Sequence, residues 1–283
     1  MKLVSFERAG QATYGVVDGD RTVQPPADFL GRFPTLAAVL EAGALPELAQ
    51  AVRAGGVAVD AASLKPLPVL PTPGKVICVG LNYKTHVAET KRADSQYPSL
   101  FVRFADTLAA HGDVVQRPAF SERFDWEGEL AVVIGRGGRD IPEARAFEHV
   151  AGYACFNDIT VRDWQRHTHQ WTPGKNFPGT GPLGPWLVTA DEVGDVNALS
   201  LETRLNGQVM QRASLSDLIF TIPVLINYIS RFTPLRPGDV IATGTPGGVG
   251  DRREPPVYMR DGDTVEVEIT GLGILRNRIG TAA

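Results

Sequence analysis

The sequence is poor in the features that mark several large classes of protein. It contains only two cysteines among 283 residues, which excludes a disulfide framework of the kind that stabilises small secreted domains. Cys78 and Cys155 both lie inside apolar runs, which indicates buried small side chains. A reducing, cytoplasmic location is therefore the default expectation.

Basic blocks and long apolar runs are also missing. The net charge is −4, with 28 Lys and Arg against 32 Asp and Glu, so we expect no nucleic-acid partner and no membrane partner. Residues 1–7 lack the apolar core of a signal peptide, and no run is long enough to span a membrane.

Glycine and proline, in contrast, are abundant, with 30 and 21 residues. They divide the chain into short segments and favour a β-rich, loop-rich architecture. The hydrophobic content of 43% is ordinary for a soluble globular protein with a sizeable core. Four prolines between residues 65 and 73 suit an extended linker, so we predict a small N-terminal domain over residues 1–70 and a large domain over residues 71–283.

Residues 124–135 predict a β-strand, because a β-branched run ends there at a glycine-rich turn. Glu127 and Glu129 would then project from the same face of the strand. Two carboxylates beside apolar residues are costly unless a positive charge lies between them, and a hard divalent cation takes such oxygen ligands. The alternative is an exposed strand end with two solvated acids.

Two further stretches carry residues of chemical interest. If residues 82–89 enter a helix, His86 and Glu89 lie one turn apart, and the carboxylate could orient the imidazole as a general base. A surface ion pair is the alternative. Asp158 follows a predicted strand and precedes a predicted helix, so it is either a helix N-cap or a third carboxylate near Glu127 and Glu129.

Spacing alone does not identify a metal site. Glu266 and Glu268 are also two residues apart, in a predicted closing strand over residues 265–269. Apolar residues interleave them, so we interpret this pair as a solvated face. The glycine-rich segment over residues 243–250 follows a predicted strand, and its backbone N–H groups could bind an anion.

Five groups of residues occur in a fixed order along the chain. They are residues 80–83 with His86 and Glu89, residues 125–130, residues 157–160 with Arg162, Asp163 and Gln165, Gly174-Lys175 with Gly181-Pro182, and residues 243–250. Together they resemble the fumarylacetoacetate hydrolase family. Any one of these groups is a weak signal, whereas five in the family's order are specific.

The resemblance implies an α+β, mainly β fold of rolled mixed sheets with a small N-terminal α+β domain. It also implies a homodimer. In the family the acidic residues at the positions of Glu127, Glu129 and Asp158 bind Mg²⁺ or Mn²⁺, and Ca²⁺ can replace these ions in a crystal.

The resemblance further assigns roles by position. His86 and Glu89 match a dyad that activates water, and Lys175 matches an active-site lysine. The matched substrate-binding positions are Gln165, Thr245, Gly244 and Arg162. Three places depart from the family's pattern, namely Gly128 in place of Val or Ala, Pro178 in place of an acidic residue, and Arg103-Phe104 in place of Lys-Pro.

These observations predict a metal-dependent hydrolase that cleaves a carbon–carbon bond in a β-diketo, acylpyruvate-like acid through a metal-chelated enolate. A decarboxylase or a tautomerase of a related 2-oxo acid, such as oxaloacetate, is the first alternative, because the same enolate serves these reactions. A non-catalytic β module with a structural Ca²⁺ is a more distant alternative, and it would need no His–Glu pair beside the metal.

Overall fold

The computed structural model describes residues 1–60, 64–90 and 95–282. Strands dominate these residues. They are β1 (Lys2–Arg8), β2 (Gln11–Asp18), β3 (Arg21–Gln24), β4 (Val57–Val59), β5 (Lys65–Pro66), β6 (Val76–Gly80), β7 (Ser99–Arg103), β8 (Leu108–Ala109), β9 (Val114–Arg117), β10 (Phe124–Asp125), β11 (Gly128–Ile134), β12 (Val150–Asn157), β13 (Thr160–Val161), β14 (Gly181–Thr189), β15 (Ser200–Leu205), β16 (Gln208–Ser214), β17 (Val240–Ala242), β18 (Thr264–Ile269) and β19 (Gly273–Thr281).

The helices are short. The α-helices are α1 (Ala27–Arg32), α2 (Leu36–Glu41), α3 (Leu45–Gly55), α4 (Lys84–Thr90), α5 (Arg162–Gln165), α6 (Thr172–Lys175), α7 (Ala190–Val193) and α8 (Ile222–Phe232). The 3₁₀ helices are Ala105–Thr107, Glu143–His149, Val196–Ala198, Leu215–Asp217 and Gly250–Arg252. Among the described residues, no helix is long and apolar enough to cross a membrane.

The strands form two large mixed sheets. The first has twelve strands in the order β4-β3-β2-β1-β14-β12-β11-β17-β6-β7, with β5 beside β1 and β8 beside β14. The second has five strands in the order β16-β15-β18-β19-β9, while β10 and β13 pair separately. Most pairs are antiparallel, but β17 pairs with β6, β14 with β8 and β19 with β9 in parallel. The predicted α+β, mainly β fold is confirmed.

Strand β11 lies inside the twelve-stranded sheet and is buried on both faces. Leu130 and Val132 belong to one hydrophobic cluster, which also contains the apolar side of α8. Ala131 and Val133 point the other way into a second cluster, which they share with residues of the N-terminal region. Burial on both faces explains why this strand reads as a continuous apolar run.

The N-terminal region is part of the same sheet. Leu3 of β1 pairs with Leu187 of β14, and both side chains are buried in one cluster. The proline-rich segment is also fixed, because the Ser5 hydroxyl donates to the Val69 carbonyl oxygen at 2.7 Å. The twelve-stranded sheet and one hydrophobic cluster both include residues from either side of residue 70. The division of the chain into two domains at that residue stays a prediction.

The predicted strand over residues 124–135 is interrupted. It consists of β10 and β11, with Trp126 and Glu127 between them. The N–H of Glu127 donates to the side-chain oxygen of Asn157 at 3.0 Å instead of to a neighbouring backbone carbonyl. Glu127 therefore immediately precedes β11, while Glu129 is its second residue and points to the same side as Ala131.

Candidate metal centre and active site

Three buried carboxylates converge where β11 begins and β12 ends. The two strands are antiparallel, with Gly128 opposite Asn157, so Asp158 directly after β12 meets Glu127 and Glu129. One oxygen from each of the three carboxylates lies within 4.8 Å of the other two. The structure thus brings together the three predicted ligands, and a cluster of carboxylate oxygens suits a hard divalent cation.

Three cationic side chains contact two of these carboxylates. The Lys175 ammonium lies 2.7 Å from Oε2 of Glu127 and 2.6 Å from Oδ2 of Asp158. Nη1 of Arg162 lies 2.6 Å from Oε1 of Glu127. Nε of Arg103 lies 2.5 Å from Oδ1 of Asp158, so both oxygens of each of these two acids have a cationic partner.

Glu129 is different, because it accepts a hydrogen bond from a neutral donor. Its Oε2 accepts the backbone N–H of Gly244 at 2.9 Å. Burial, with the charges of Asp158 and Glu127 nearby, raises the pKa of Glu129 well above its ordinary value. Burial would also raise the pKa of Glu127, but the charges of Lys175 and Arg162 outweigh it and lower that pKa to about 2. Glu129 is therefore the least compensated of the three, because the nearby charge of Lys175 and the Gly244 N–H do not outweigh its burial and the two neighbouring acids.

The charge balance of this region fits a divalent ion. We define the inner charge cluster as Asp125, Glu127, Glu129, Asp158, Arg103, Arg162 and Lys175, of which Arg162 also donates from Nε to Asp125 at 2.7 Å. With Glu129 protonated, three carboxylates face three cations and the cluster is neutral. A bound ion of charge +2 with Glu129 ionised would leave a net charge of about +1, which favours an anionic ligand.

His86 and Glu89 form the predicted pair on helix α4. Nδ1 of His86 lies 2.7 Å from Oε1 of Glu89, and the second carboxylate oxygen of Glu89 accepts the N–H of Gly248 at 2.8 Å. The imidazole is buried and lines the same cavity as Glu127 and Glu129. A non-catalytic structural metal site gives no reason for this placement, so it argues against that alternative.

The glycine-rich loop after β17 does bind anions, but they are carboxylates of the protein itself. Its N–H groups at Gly244, Gly248 and Gly250 donate to Glu129, Glu89 and Asp125 respectively. Gly244 has a φ of +105°, and a Cβ there would lie 2.9 Å from the carbonyl oxygen of Val79. The loop is therefore a scaffold that fixes acidic side chains.

The predicted substrate-binding residues divide into two groups. Arg162, Gln165 and Thr245 line the cavity, and Oγ1 of Thr245 donates to the Gly128 carbonyl at 2.9 Å. Gly244 holds Glu129 through its N–H, so the structure gives it an orienting role, and its contact with a substrate stays a prediction.

The cavity has a volume of about 270 Å³, small enough to select a compact metabolite. Its lining includes residues that the sequence interpretation did not select, namely Phe101, Arg166, His169, Trp171, Asp251 and Arg252. Arg103 was noted only as a departure from a pattern, yet its guanidinium donates to Asp158, Thr180 and Ile159. The distance of 55 residues along the chain between Arg103 and Asp158 gave no local signal of this contact.

The chain is similar in sequence to one known protein family and to two enzymes with assigned names. A family model described as the C-terminal domain of fumarylacetoacetate (FAA) hydrolase matches residues 75–280. The chain is 42% identical over 226 residues to the mitochondrial oxaloacetate tautomerase FAHD2A of Bos taurus, covering 75% of this chain and 72% of the relative. It is 43% identical over 215 residues to the oxaloacetate tautomerase YisK of Bacillus subtilis, covering 75% and 71%.

Solved structures show the same relationship over the whole chain. The maleylpyruvate hydrolase of Sphingobium sp. SYK-6, in complex with manganese(II) and pyruvate, superposes with a TM-score of 0.84. The two sequences are 28% identical, and the match covers 100% of both chains. Both a tautomerase and a hydrolase are thus among the proteins to which this chain is similar.

Proposed function

Because the chain belongs to the fumarylacetoacetate hydrolase family, we propose that it is a divalent-metal enzyme that interconverts the keto and enol forms of oxaloacetate or a closely related 2-oxo acid. The observation that carries this proposal is the convergence of the three carboxylates and the His86–Glu89 pair in one small cavity. The similarity to two oxaloacetate tautomerases at 42% and 43% identity favours tautomerisation over the hydrolysis predicted first.

Glu127, Glu129 and Asp158 would hold the metal. Their oxygens suit Mg²⁺ or Mn²⁺, and Mn²⁺ is the ion named with the similar maleylpyruvate hydrolase. When bound, such an ion supplies Lewis acidity that stabilises negative charge on the 2-oxo oxygen of the substrate. The raised pKa of Glu129 supports this assignment, because a cation would relieve the cost of ionising its carboxyl group.

The side chains of this protein would then move the proton. Tautomerisation transfers a proton between C3 of the substrate and its 2-oxo oxygen. His86, oriented by Glu89 at 2.7 Å, is the base that takes the proton from C3 and returns it to the 2-oxo oxygen, so the imidazole ends in its starting protonation state. The buried ammonium of Lys175 places positive charge beside the ligand carboxylates, where it favours the anionic form of the substrate.

Arg162 provides a further donor for a carboxylate group. Two of its nitrogens bind Asp125 and Glu127, and Nη2 is buried with no hydrogen-bond partner among the described residues. A buried donor without a partner carries a desolvation cost that a bound anion would remove. Since Arg162 lines the cavity, we assign its guanidinium group to the carboxylate of the 2-oxo acid unit.

Hydrolysis of a carbon–carbon bond in an acylpyruvate-like acid is the second candidate. It is favoured by the same His86–Glu89 pair, which could deprotonate a water instead of C3. It is also favoured by the similarity to maleylpyruvate hydrolase over the whole chain. A decarboxylase of oxaloacetate is a third possibility that the same assay separates.

The test is a parallel assay of one purified sample loaded with Mg²⁺ or Mn²⁺. We expect faster conversion between enol and keto oxaloacetate than in the absence of protein, and loss of that activity with a chelator. Pyruvate release from acylpyruvates and CO₂ release from oxaloacetate are measured alongside. If pyruvate release exceeds tautomerisation, the hydrolase assignment replaces the tautomerase assignment.

Two further proposals concern the protein in solution. The family resemblance leads us to propose a homodimer, which light scattering after size-exclusion chromatography would test. We also propose a cytoplasmic location, on the basis of the low cysteine content. The similar protein of Bos taurus is named as mitochondrial, so imaging or fractionation of the native protein is the measurement that decides.

A further inference from the structure

The mouth of the cavity carries positive charge that the metal chemistry does not use. Arg166, which directly follows helix α5, and Arg252, in the 3₁₀ helix Gly250–Arg252, both line the cavity. Their side chains are 43% and 37% exposed, unlike the buried cations of the inner charge cluster. These two arginines are not among the residues that the family resemblance assigned.

A single carboxylate lies between the two guanidinium groups. The side chain of Asp251 is 5% exposed; its Oδ2 is paired with Nη2 of Arg166 and lies 3.7 Å from Nε of Arg252. Its Oδ1 accepts the Tyr258 hydroxyl at 2.9 Å. Two cations with one anion leave one positive charge in excess, and the 3.7 Å separation is too long for a hydrogen bond.

The mouth is fixed relative to the inner charge cluster. The N–H groups of Gly250 and Asp251 donate to Asp125 at 2.7 Å and 3.0 Å. The same Asp125 accepts from Arg162 at 2.7 Å, so one buried carboxylate connects the mouth loop to the arginine beside Glu127. A Cβ on Gly250 would lie 1.9 Å from the carbonyl oxygen of Val257, which explains the glycine at this close approach.

We propose that Arg166 and Arg252 form a subsite for the distal carboxylate of a 2-oxo dicarboxylic acid, so that the protein selects dicarboxylates over 2-oxo acids with an apolar end. This proposal deepens the proposed function and rests on it for the position of the 2-oxo acid unit at the inner charge cluster. A carboxylate matches the planar guanidinium donors, and the excess positive charge at the mouth supplies its counterion.

The test compares binding of three ligands to the Mg²⁺-loaded protein by calorimetry. The first is oxaloacetate, and the second is 4-methyl-2-oxopentanoate, in which two methyl groups replace the two distal carboxylate oxygens. Pyruvate, which lacks the distal group, is the third. We expect wild type to bind oxaloacetate at least about tenfold more tightly than its apolar isostere.

Arg166→Gln and Arg252→Gln should each reduce this preference by about tenfold or less, without changing the affinity for pyruvate. Arg252→Lys, which keeps the charge, should retain part of the preference. Arg139→Gln is the matched control, because Arg139 is 65% exposed and pairs with Asp140 outside the cavity. All four replacements are at exposed or half-exposed side chains, and unaltered thermal unfolding would verify that the fold is kept.

The binding measurement tests the subsite, and the turnover measurement tests the proposed reaction, so each proposal can be refuted without the other. If wild type shows no preference for oxaloacetate over the isostere, or if neither glutamine variant reduces it, the subsite proposal is wrong. If the preference is present but no tautomerisation occurs, the proposed reaction is wrong and the subsite stands.

Discussion

Two glutamate pairs in this protein have the same spacing and opposite chemistry. Glu266 and Glu268 lie on β18, where Arg204 donates to them at 2.9 Å and 2.7 Å. Arg276 adds a contact to Glu266 at 2.6 Å. Their side chains are 13% and 38% exposed, so they form a partly buried ion-pair network instead of the solvated face that we predicted.

The pair at the start of β11 is fully enclosed and unequally compensated. Glu127 has two cationic partners, whereas Glu129 has the N–H of Gly244. Burial, with repulsion from Asp158, therefore raises the pKa of Glu129. The comparison teaches that the spacing of two acids on a strand does not identify a metal site, while a deficit of cations around buried acids favours one.

Replacing one glutamate of each pair by glutamine should give the largest difference between the two pairs, measured as metal affinity and turnover. We expect Glu129→Gln to lower Mg²⁺ and Mn²⁺ affinity by about 100-fold or more and to remove measurable turnover, because it deletes a ligand and its charge. Glu268→Gln should leave both unchanged. Calorimetric metal titration and the tautomerase assay provide the measurements, and equal metal affinity in the two variants would refute the ligand assignment.

Replacing His86 sharpens the comparison by separating turnover from metal binding. His86→Gln should reduce turnover by about 10²- to 10⁴-fold, since the imidazole is assigned as the base. Metal affinity should stay within about threefold of wild type, because the proposed ligands are Glu127, Glu129 and Asp158. A variant with normal turnover would remove His86 from the mechanism.

The pKa of Glu129 predicts a pH effect with a definite sign. Since that pKa is raised in the metal-free protein, metal binding at a pH below the raised pKa releases a proton, and affinity should rise with pH until the metal-free protein has lost the proton. Without metal, the folded state holds this proton more tightly than the unfolded state. Stability should therefore fall as pH rises above the ordinary glutamate value of 4.5.

Metal titrations across about pH 5 to 8, in buffers of different ionisation enthalpy, measure that proton release. Glu129→Gln cannot release the proton, so any residual metal binding should lose this part of the pH dependence. The same dependence in wild type and in Glu129→Gln would show that another group titrates.

Part of this site could be predicted from sequence for physical reasons that are visible in the structure. Strand alternation places Glu127 and Glu129 on one side, and helical spacing brings His86 to Glu89. Asp158 depended on the family resemblance, because no local pattern distinguishes a ligand from an N-cap. In the structure its carboxylate contacts Arg103 and Lys175 instead of capping a helix.

The compensating charges could not be predicted in this way. Along the chain, 55 residues separate Arg103 from Asp158, 37 separate Arg162 from Asp125, and 48 separate Lys175 from Glu127. Sheet pairing brings them together, and pairing depends on the whole chain. For the same reason the anions bound by the glycine-rich loop could not be identified as Glu129, Glu89 and Asp125.

The smallest effect is expected when the arginine that binds Glu266 and Glu268 is replaced. Arg204→Met should lower the free energy of unfolding by about 1 kcal/mol, because the ion pairs of Arg204 are only partly buried and solvent still screens them in part. In a chain of this size that corresponds to a decrease in Tm of roughly 2 °C. Metal affinity and turnover should not change, because Arg204 binds Glu202, Glu266 and Glu268 on the five-stranded sheet. A loss of metal binding in this variant would mean that the two glutamate pairs are coupled through the sheets, and the contrast between a structural and a metal-binding pair would fail.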